Sequence, residues 1–139
     1  MAKKSRRQPT PTPRGKLMSM RVTDGFRAFV LEQLAGMESV RPRAMFGGIG
    51  LYADDVFFGI LAADVLYLKV DDSNRAIYET ESMPAFQPYA GQPTTMSYYQ
   101  VPARVLEDGD ELTAWARTSV RVAAHAKPRK ARRQVGRRA

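Results

Sequence analysis

The stretch Arg43–Val70, RAMFGGIGLYADDVFFGILAADVLYLKV, holds most of the strand-forming residues of this 139-residue chain. Apolar runs rich in β-branched and aromatic residues alternate in it with two short breaks, Ala53–Asp55 and Ala62–Asp64. Breaks this short leave no room for a crossover helix, so consecutive strands must pair antiparallel. The stretch therefore predicts a β-meander.

Three glycines, Gly47, Gly48 and Gly50, open the second run of this stretch. A phosphate-binding loop is one interpretation, but such a loop needs Gly-Lys-Ser/Thr at the start of a helix. Here the glycines lead into a predicted strand and no lysine follows. Glycine also allows turns and bulges where a side chain would clash. We therefore expect a glycine-assisted turn or bulge.

An amphipathic helix is predicted before the meander. Thr23 or Asp24 can cap its N-terminus and Gly36 can end it. Apolar residues recur at helical spacing and should face the sheet: Phe26, Phe29, Val30 and Leu34.

A second amphipathic helix is predicted after it. Asp108 with Glu111 three residues later is close to a capping box, and Pro128 should end the helix. The apolar stripe has Trp115 as its largest anchor and comprises Leu112, Trp115, Ala116, Ser119, Val120 and Ala123.

The intervening segments complete the predicted architecture. Val40–Phe46 reads as a first strand, which Pro42 places at an edge of the sheet or at the start of the strand. Asp71–Asn74 can cap a short helix, residues 83–95 form a proline-rich loop, and Tyr98–Val101 forms another strand. The chain is therefore predicted to be α+β, an antiparallel sheet flanked by N- and C-terminal helices (α-β(n)-α).

Charge is divided unevenly along the chain, whose formal net charge is +8. Residues 20–126 carry nine Lys/Arg against fourteen Asp/Glu, whereas residues 1–19 and 127–139 carry cations and no acid. Both end segments are predicted to be disordered basic tails around one domain, 20–126. Non-specific polyanion binding is expected at the C-terminal one, through Lys127, Arg129, Lys130, Arg132, Arg133, Arg137 and Arg138.

Composition also bears on compartment. The sequence has no cysteine, no apolar run approaching the ~20 residues of a membrane span, and no apolar segment behind its basic N-terminus. We therefore expect a cytoplasmic protein without membrane contact.

Candidate catalytic and metal-binding residues are few. Asp54–Asp55 and Asp71–Asp72 lack the spaced ligands of a calcium loop and suit turns and caps instead. His125 is the only histidine and lies near the end of the last predicted helix, where the helix dipole favours it. With no nucleophile and base in view, we expect neither catalysis nor a metal or cofactor.

Tyrosines on the predicted strands suggest two roles. Exposed aromatic strands can stack nucleic-acid bases when cations share their face. The strands supply chiefly Arg43 and Lys69 as such cations, so cross-strand packing is favoured for Tyr52, Tyr67, Tyr98 and Tyr99.

Four blocks of this sequence, RAMFGGIGLY, LYLKVDDSN, MSYYQVP and LEDGDELTAWA, resemble the TfoX N-terminal domain family, named after a bacterial regulator of competence genes. The resemblance covers roughly residues 20–126. The residues that match the family pattern are Arg43, Met45, Phe46, Gly47, Gly48, Gly50, Tyr52, Tyr67, Lys69, Tyr98, Tyr99, Pro102 and Trp115.

The resemblance implies a secretion-chaperone-like fold, a curved sheet flanked by helices. It also implies a non-enzymatic regulatory or interaction module, because the named member acts on competence gene expression by assisting another transcription factor. The expected partners are an unknown protein, a second copy of the chain, and DNA or RNA through the tails. The alternative is a small-molecule or peptide binder, with a pocket lined by Phe57, Tyr67 and Tyr98 under a lid formed by residues 83–95.

Overall fold

The computed structural model describes residues 19–45, 47–87 and 97–138, the last of these with side chains as far as Ala126. The elements follow the order α1-β1-β2-β3-β4-α2-β5-α3-α4. The predicted α+β arrangement, an antiparallel sheet with helices before and after it, is confirmed.

Helix α1 spans Asp24–Gln33 and begins at an N-cap formed by Thr23, whose hydroxyl accepts a hydrogen bond from the Phe26 N–H. A cap of this kind satisfies one of the free N–H groups of the first turn. The helix buries Val30 completely, and Leu34, its C-cap residue, is also buried. The predicted helix and its N-cap are therefore confirmed, but the helix ends at Gln33, before the Gly36 that was predicted to end it.

The five strands form one sheet in which every neighbouring pair is antiparallel and the spatial order follows the chain. This is the predicted meander. The strands are β1 (Val40–Met45), β2 (Gly48–Ala53), β3 (Val56–Ala62), β4 (Val65–Lys69) and β5 (Tyr98–Gln100).

Tight turns join the first four strands. Ala62 pairs with Val65, so Ala63 and Asp64 alone form the turn, with φ of 53° and 59°. Two positive φ values are typical of a type I′ hairpin turn, whose twist matches that of the strands. Gly47 has a φ of 81° and lies in the turn between β1 and β2.

Gly48 and Gly50 lie within β2, so the predicted turn involves only the first of the three glycines. A Cβ atom on Gly48 would lie 2.6 Å from the Leu61 carbonyl oxygen. Gly48 is therefore required by close backbone packing. The prediction that the glycines enter a strand is confirmed.

A β-bulge in β3 sets which side chains face the helices. Leu51 pairs with Gly59 and Tyr52 with Phe57, so Phe58 is the additional residue. The bulge interrupts the usual alternation of side chains. As a result, Phe58 packs in the main core whereas Phe57 and Ile60 belong to a second cluster.

The main core lies between one face of the sheet and helices α1 and α4. It contains Leu51, Phe58, Leu66 and Leu68 from the strands and residues of both helices. In β4, Leu66 and Leu68 are buried while Tyr67 and Lys69 are half-buried, as the alternation of the sequence predicts. The second cluster, on the opposite face, contains Met20, Ile60, Ala62, Phe86 and Tyr98.

Two shorter helices flank β5. Helix α2 (Arg75–Thr80) was expected and buries Tyr78, whereas the four-residue α3 (Ala103–Leu106) was not. Pro102 is the N-cap residue of α3, so the proline that ends β5 also starts this helix. Arg104 of α3 forms ion pairs with Glu81 and Glu111.

Helix α4 spans Gly109–Arg138, and Asp108 accepts a hydrogen bond from the Glu111 N–H at its start. Its predicted apolar stripe is confirmed: Leu112, Ala116, Ser119 and Ala123 are buried. The predicted end at Pro128 is wrong, because the backbone is helical through Arg138. A proline removes one N–H donor from a helix and its ring clashes with the preceding turn, which disfavours continuation of the helix without forbidding it.

The predicted domain bounds stay a prediction. Residues 1–18 lie outside the described residues, as do the side chains of 127–139.

Candidate functional site

The face of the sheet that points away from α1 and α4 is here called the outer face. Its side chains come from all five strands, because residues at alternate positions, and cross-strand partners, share a face. Arg41 is opposite Tyr52 and Arg43 is opposite Gly50 in the β1–β2 register. The outer face carries Arg41, Arg43, Met45, Tyr52, Phe57, Ile60, Tyr67, Lys69 and Tyr98.

A continuous row of cations and rings crosses this face, here called the cation–aromatic row. The Arg43 guanidinium carbon lies 5.3 Å from the centre of the Tyr52 ring, and Tyr52 stacks on Phe57 at 5.2 Å. The Phe57 and Tyr98 rings are 5.4 Å apart, and the Lys69 ammonium lies 5.2 Å from the Tyr98 ring centre. Each of these distances is within the range of attractive cation–π and aromatic pairs.

Gly50 makes room for this row. A Cβ atom at this position would lie 2.9 Å from the Met45 sulfur and 3.1 Å from the Phe57 ring. The ring and the thioether therefore occupy the space above a bare backbone. With no side chain opposite it, Arg43 extends over Tyr52 instead.

Burial increases along the row from Arg43 on β1 to Tyr98 on β5. Arg41 and Arg43 are exposed, Tyr52 and Phe57 are half-buried, and Tyr98 is only 4% exposed. Burial, together with the neighbouring Tyr52 hydroxyl, raises the pKa of Tyr98 well above its usual range. The β5 end of the row is thus part of the protein interior, and the β1 end is accessible.

Tyr67 also lies on the outer face, with Phe86 as its aromatic neighbour. Its ring packs 4.8 Å from that of Phe86, in the segment that follows α2, and burial raises its pKa. Helix α4 does not fill the outer face, since it packs on the main core. However, the rings predicted to line a pocket, those of Phe57, Tyr67 and Tyr98, pack on one another and on Phe86.

An open cavity of about 380 Å³ lies at the accessible end of the row, lined by Arg41, Pro42, Arg43, Tyr52 and Asp54. Small-ligand sites in proteins begin at roughly 300 Å³. Within the described part of the chain, neither Arg41 nor Arg43 forms a salt bridge. The cavity therefore presents two guanidinium groups, one phenol ring and one carboxylate to solvent.

A second cleft, of about 390 Å³, lies where β4, α2 and α4 meet. Its cations already have partners: Arg75 pairs with Asp72 at 2.5 Å, and Lys69 donates a hydrogen bond to the Ser97 hydroxyl. The Ser73 side chain and N–H donate to Asp71 and, with nearby cations, lower the pKa of that carboxyl. An anion would therefore bind less favourably in this cleft than in the cavity beside β1.

The remaining predicted polar features have local roles. Asp54 lies in the β2–β3 turn with a φ of 54°, and Asp71 forms the turn before α2. The His125 Nδ1 lies 2.8 Å from the Arg121 carbonyl oxygen, within α4. Among the residues that the structure describes, no group of three or more His, Cys, Asp or Glu side chains could hold a metal ion. The described helices include none with the length and apolarity needed to cross a membrane.

Some candidate residues named in the sequence analysis lie in the cation–aromatic row and others in the main core. The row contains Arg43, Tyr52, Lys69 and Tyr98, while Tyr99 and Trp115 pack on Tyr78 in the main core. Phe46 and the side chains of the seven C-terminal cations lie outside the described residues, so their proposed roles stay predictions. The sequence prediction overlooked Arg41, although its alternation with Arg43 in VRPR places both on one face.

Comparison with known proteins agrees with the resemblance seen in the sequence. A search against curated proteins returns no match for this chain. The family model described as TfoX N-terminal domain matches residues 32–123, which include all five strands, α2, α3 and the first half of α4. The chain therefore belongs to the TfoX N-terminal domain family.

Proposed function

We propose that this protein is a non-enzymatic transcriptional co-regulator, in which the folded domain contacts a protein partner and the basic C-terminal segment contacts nucleic acid. Family membership supports a regulatory or interaction domain in general. The finer proposal comes from the distribution of charge.

Charge segregation is the observation that carries this proposal. Seven cations and no acid occur in residues 127–139, whereas residues 20–126 are acidic overall. Unopposed cations displace counterions from phosphates, which gives affinity without sequence recognition. Sequence selectivity would then come from the partner, a transcription factor, held by the acidic domain. A second copy of the chain is a further candidate partner.

The alternative proposal, a small-molecule or peptide binder with a pocket among Phe57, Tyr67 and Tyr98, is less well supported. Tyr98 is buried, and Tyr67 is in contact with Phe86. These rings fill the space that a ligand would need.

The test compares the full chain with a full-length variant in which the seven cations of residues 127–139 are replaced by glutamine. Both are titrated with duplex DNA at several salt concentrations. Contact with up to seven phosphates predicts a slope of log affinity against log salt of up to about −6 for the native chain. The variant should lose this slope and most of the affinity. Equal binding and equal slopes would overturn the proposal for the basic segment.

A further inference from the structure

We propose that the outer face at β1 and β2 is a binding site for single-stranded nucleic acid, separate from the basic C-terminal segment. The site is the cavity beside β1 together with the exposed end of the cation–aromatic row: Arg41, Arg43, Tyr52, Phe57 and Asp54.

Charge is the first argument. The domain is acidic overall, yet Arg41 and Arg43 lie side by side on one face without a salt bridge to any described residue. Two guanidinium groups against the single carboxylate of Asp54 give the cavity lining a net positive charge. Guanidinium groups bind phosphate oxygens in a planar, bidentate manner. The pair is therefore complementary to a phosphodiester backbone.

Ring geometry is the second argument. Arg43 lies over the half-buried Tyr52, which is itself supported by Phe57. A guanidinium plane or an aromatic ring that is fixed in this way presents a flat surface on which an unpaired base can stack. Phe57 packs in turn against the bare backbone at Gly50, where a Cβ atom would lie 3.1 Å from its ring. Asp54, at the rim of the same cavity, can accept hydrogen bonds from sugar hydroxyl or base amino groups.

Edge chemistry is the third argument. β1 is the outermost strand, and an exposed edge could instead pair with an extended peptide. Pro42, at the middle of β1, has no N–H to donate and interrupts such pairing. Binding here therefore depends on side chains. An acidic peptide strand is accordingly a weaker candidate than a single-stranded nucleic acid, whose bases require stacking surfaces.

The experiment uses the full-length chain with the cations of both end segments, residues 1–19 and 127–139, replaced by glutamine, so that its outcome is independent of both basic segments. A fluorescent single-stranded oligonucleotide of about 12 nucleotides, within the site sizes of single-strand-binding folds, is the probe. We expect it to bind, and to bind at least about tenfold more tightly than a duplex of the same length. Binding of the duplex with equal or higher affinity would overturn the proposal, as would an absence of single-strand binding.

Matched variants locate the site. The double substitution Arg41→Ala/Arg43→Ala should weaken single-strand binding about tenfold or more. The control Arg21→Ala/Arg27→Ala makes the same charge change at two exposed residues beside and within α1. Equal losses in the two double variants would show a diffuse charge effect and would overturn the proposal. Thermal unfolding of each variant confirms that the fold is retained.

A charge-conserving variant separates stacking from attraction between charges. Arg43→Lys keeps the cation and removes the planar group, so affinity should fall several-fold at constant salt slope. Full retention of affinity would contradict the stacking arrangement.

A competition experiment distinguishes nucleic acid from acidic protein segments. An oligoglutamate peptide should fail to displace the oligonucleotide. Displacement at matched charge would identify the face as a site for acidic protein segments and overturn the proposal.

Discussion

The carboxylate of Asp64 accepts hydrogen bonds from both the N–H and the hydroxyl of Thr23, which precedes it by 41 residues. The turn between β3 and β4 thereby holds the residue that caps α1. Thr23 in turn accepts from the Phe26 N–H, so one carboxylate positions the first turn of the helix. The contact joins two elements that are distant in the sequence.

Replacing Asp64 by alanine should lower the free energy of unfolding by about 1–2 kcal/mol, because the Thr23 cap loses its support. Urea unfolding measures this. Asp54→Ala is a matched control, since Asp54 is an exposed turn residue that also has a positive φ, 54°, and no side-chain hydrogen bond among the described contacts. A loss as large in the control would show that the Asp64 contact is unimportant.

Gly48→Ala should be strongly destabilising, by about 2–3 kcal/mol or more, since the new methyl group would meet a backbone oxygen that cannot move aside. Gly25→Ala serves as the comparison: this glycine lies in α1 with open space around it and should gain up to about 1 kcal/mol. Thermal unfolding of the two variants should shift in opposite directions. A stable Gly48→Ala protein would contradict the β2–β3 packing described above.

Tyr78→Phe should leave stability unchanged or raise it. The Tyr78 ring packs on Trp115 and Tyr99, but its hydroxyl is buried without a well-formed hydrogen bond; Ser119 lies near it and donates instead to the Lys69 carbonyl. A buried hydroxyl without a partner costs free energy that phenylalanine avoids. By contrast, Tyr99→Phe removes an interaction with Arg75 and should be slightly destabilising. Urea unfolding curves of both variants check the contrast.

Alkaline pH should destabilise the fold. Burial raises the pKa values of Tyr78 and Tyr98 above the value of about 10 that tyrosine has in an unfolded chain. The folded state therefore binds these protons more tightly, so stability is fully present below about pH 10 and declines as the pH rises above it. Unfolding free energies between about pH 8 and pH 11 test this. Tyr98→Phe should reduce the decline, and an unchanged pH profile in that variant would contradict it.

The fold was more predictable from the sequence than the site was. Strand alternation and short breaks in Arg43–Val70 are local signals, and they identified the meander and its buried face. The bulge at Phe58 was not predictable, because it depends on how β2 and β3 align after pairing. Helix α3 was missed for a similar reason: four residues are too few to show a helical period.

Arg41 shows why the site itself was harder to predict. The prediction counted the cations on the strands but did not follow the register that places Arg41 opposite Tyr52. The cation–aromatic row also requires Tyr98, which is on β5, to reach Phe57 on β3. Such a contact depends on the twist and packing of the whole sheet, and no spacing within the sequence encodes it.

The protection of both sheet edges has a consequence for how this domain can evolve. Pro42 interrupts the β1 edge, and the β5 edge is occupied by the segment at Pro84–Phe86, which hydrogen-bonds to Tyr98 and Gln100. A protein with open edges recognises partners through backbone groups that any sequence supplies. Here recognition must depend on side chains of the exposed surface, so single substitutions can change the partner while leaving the scaffold intact.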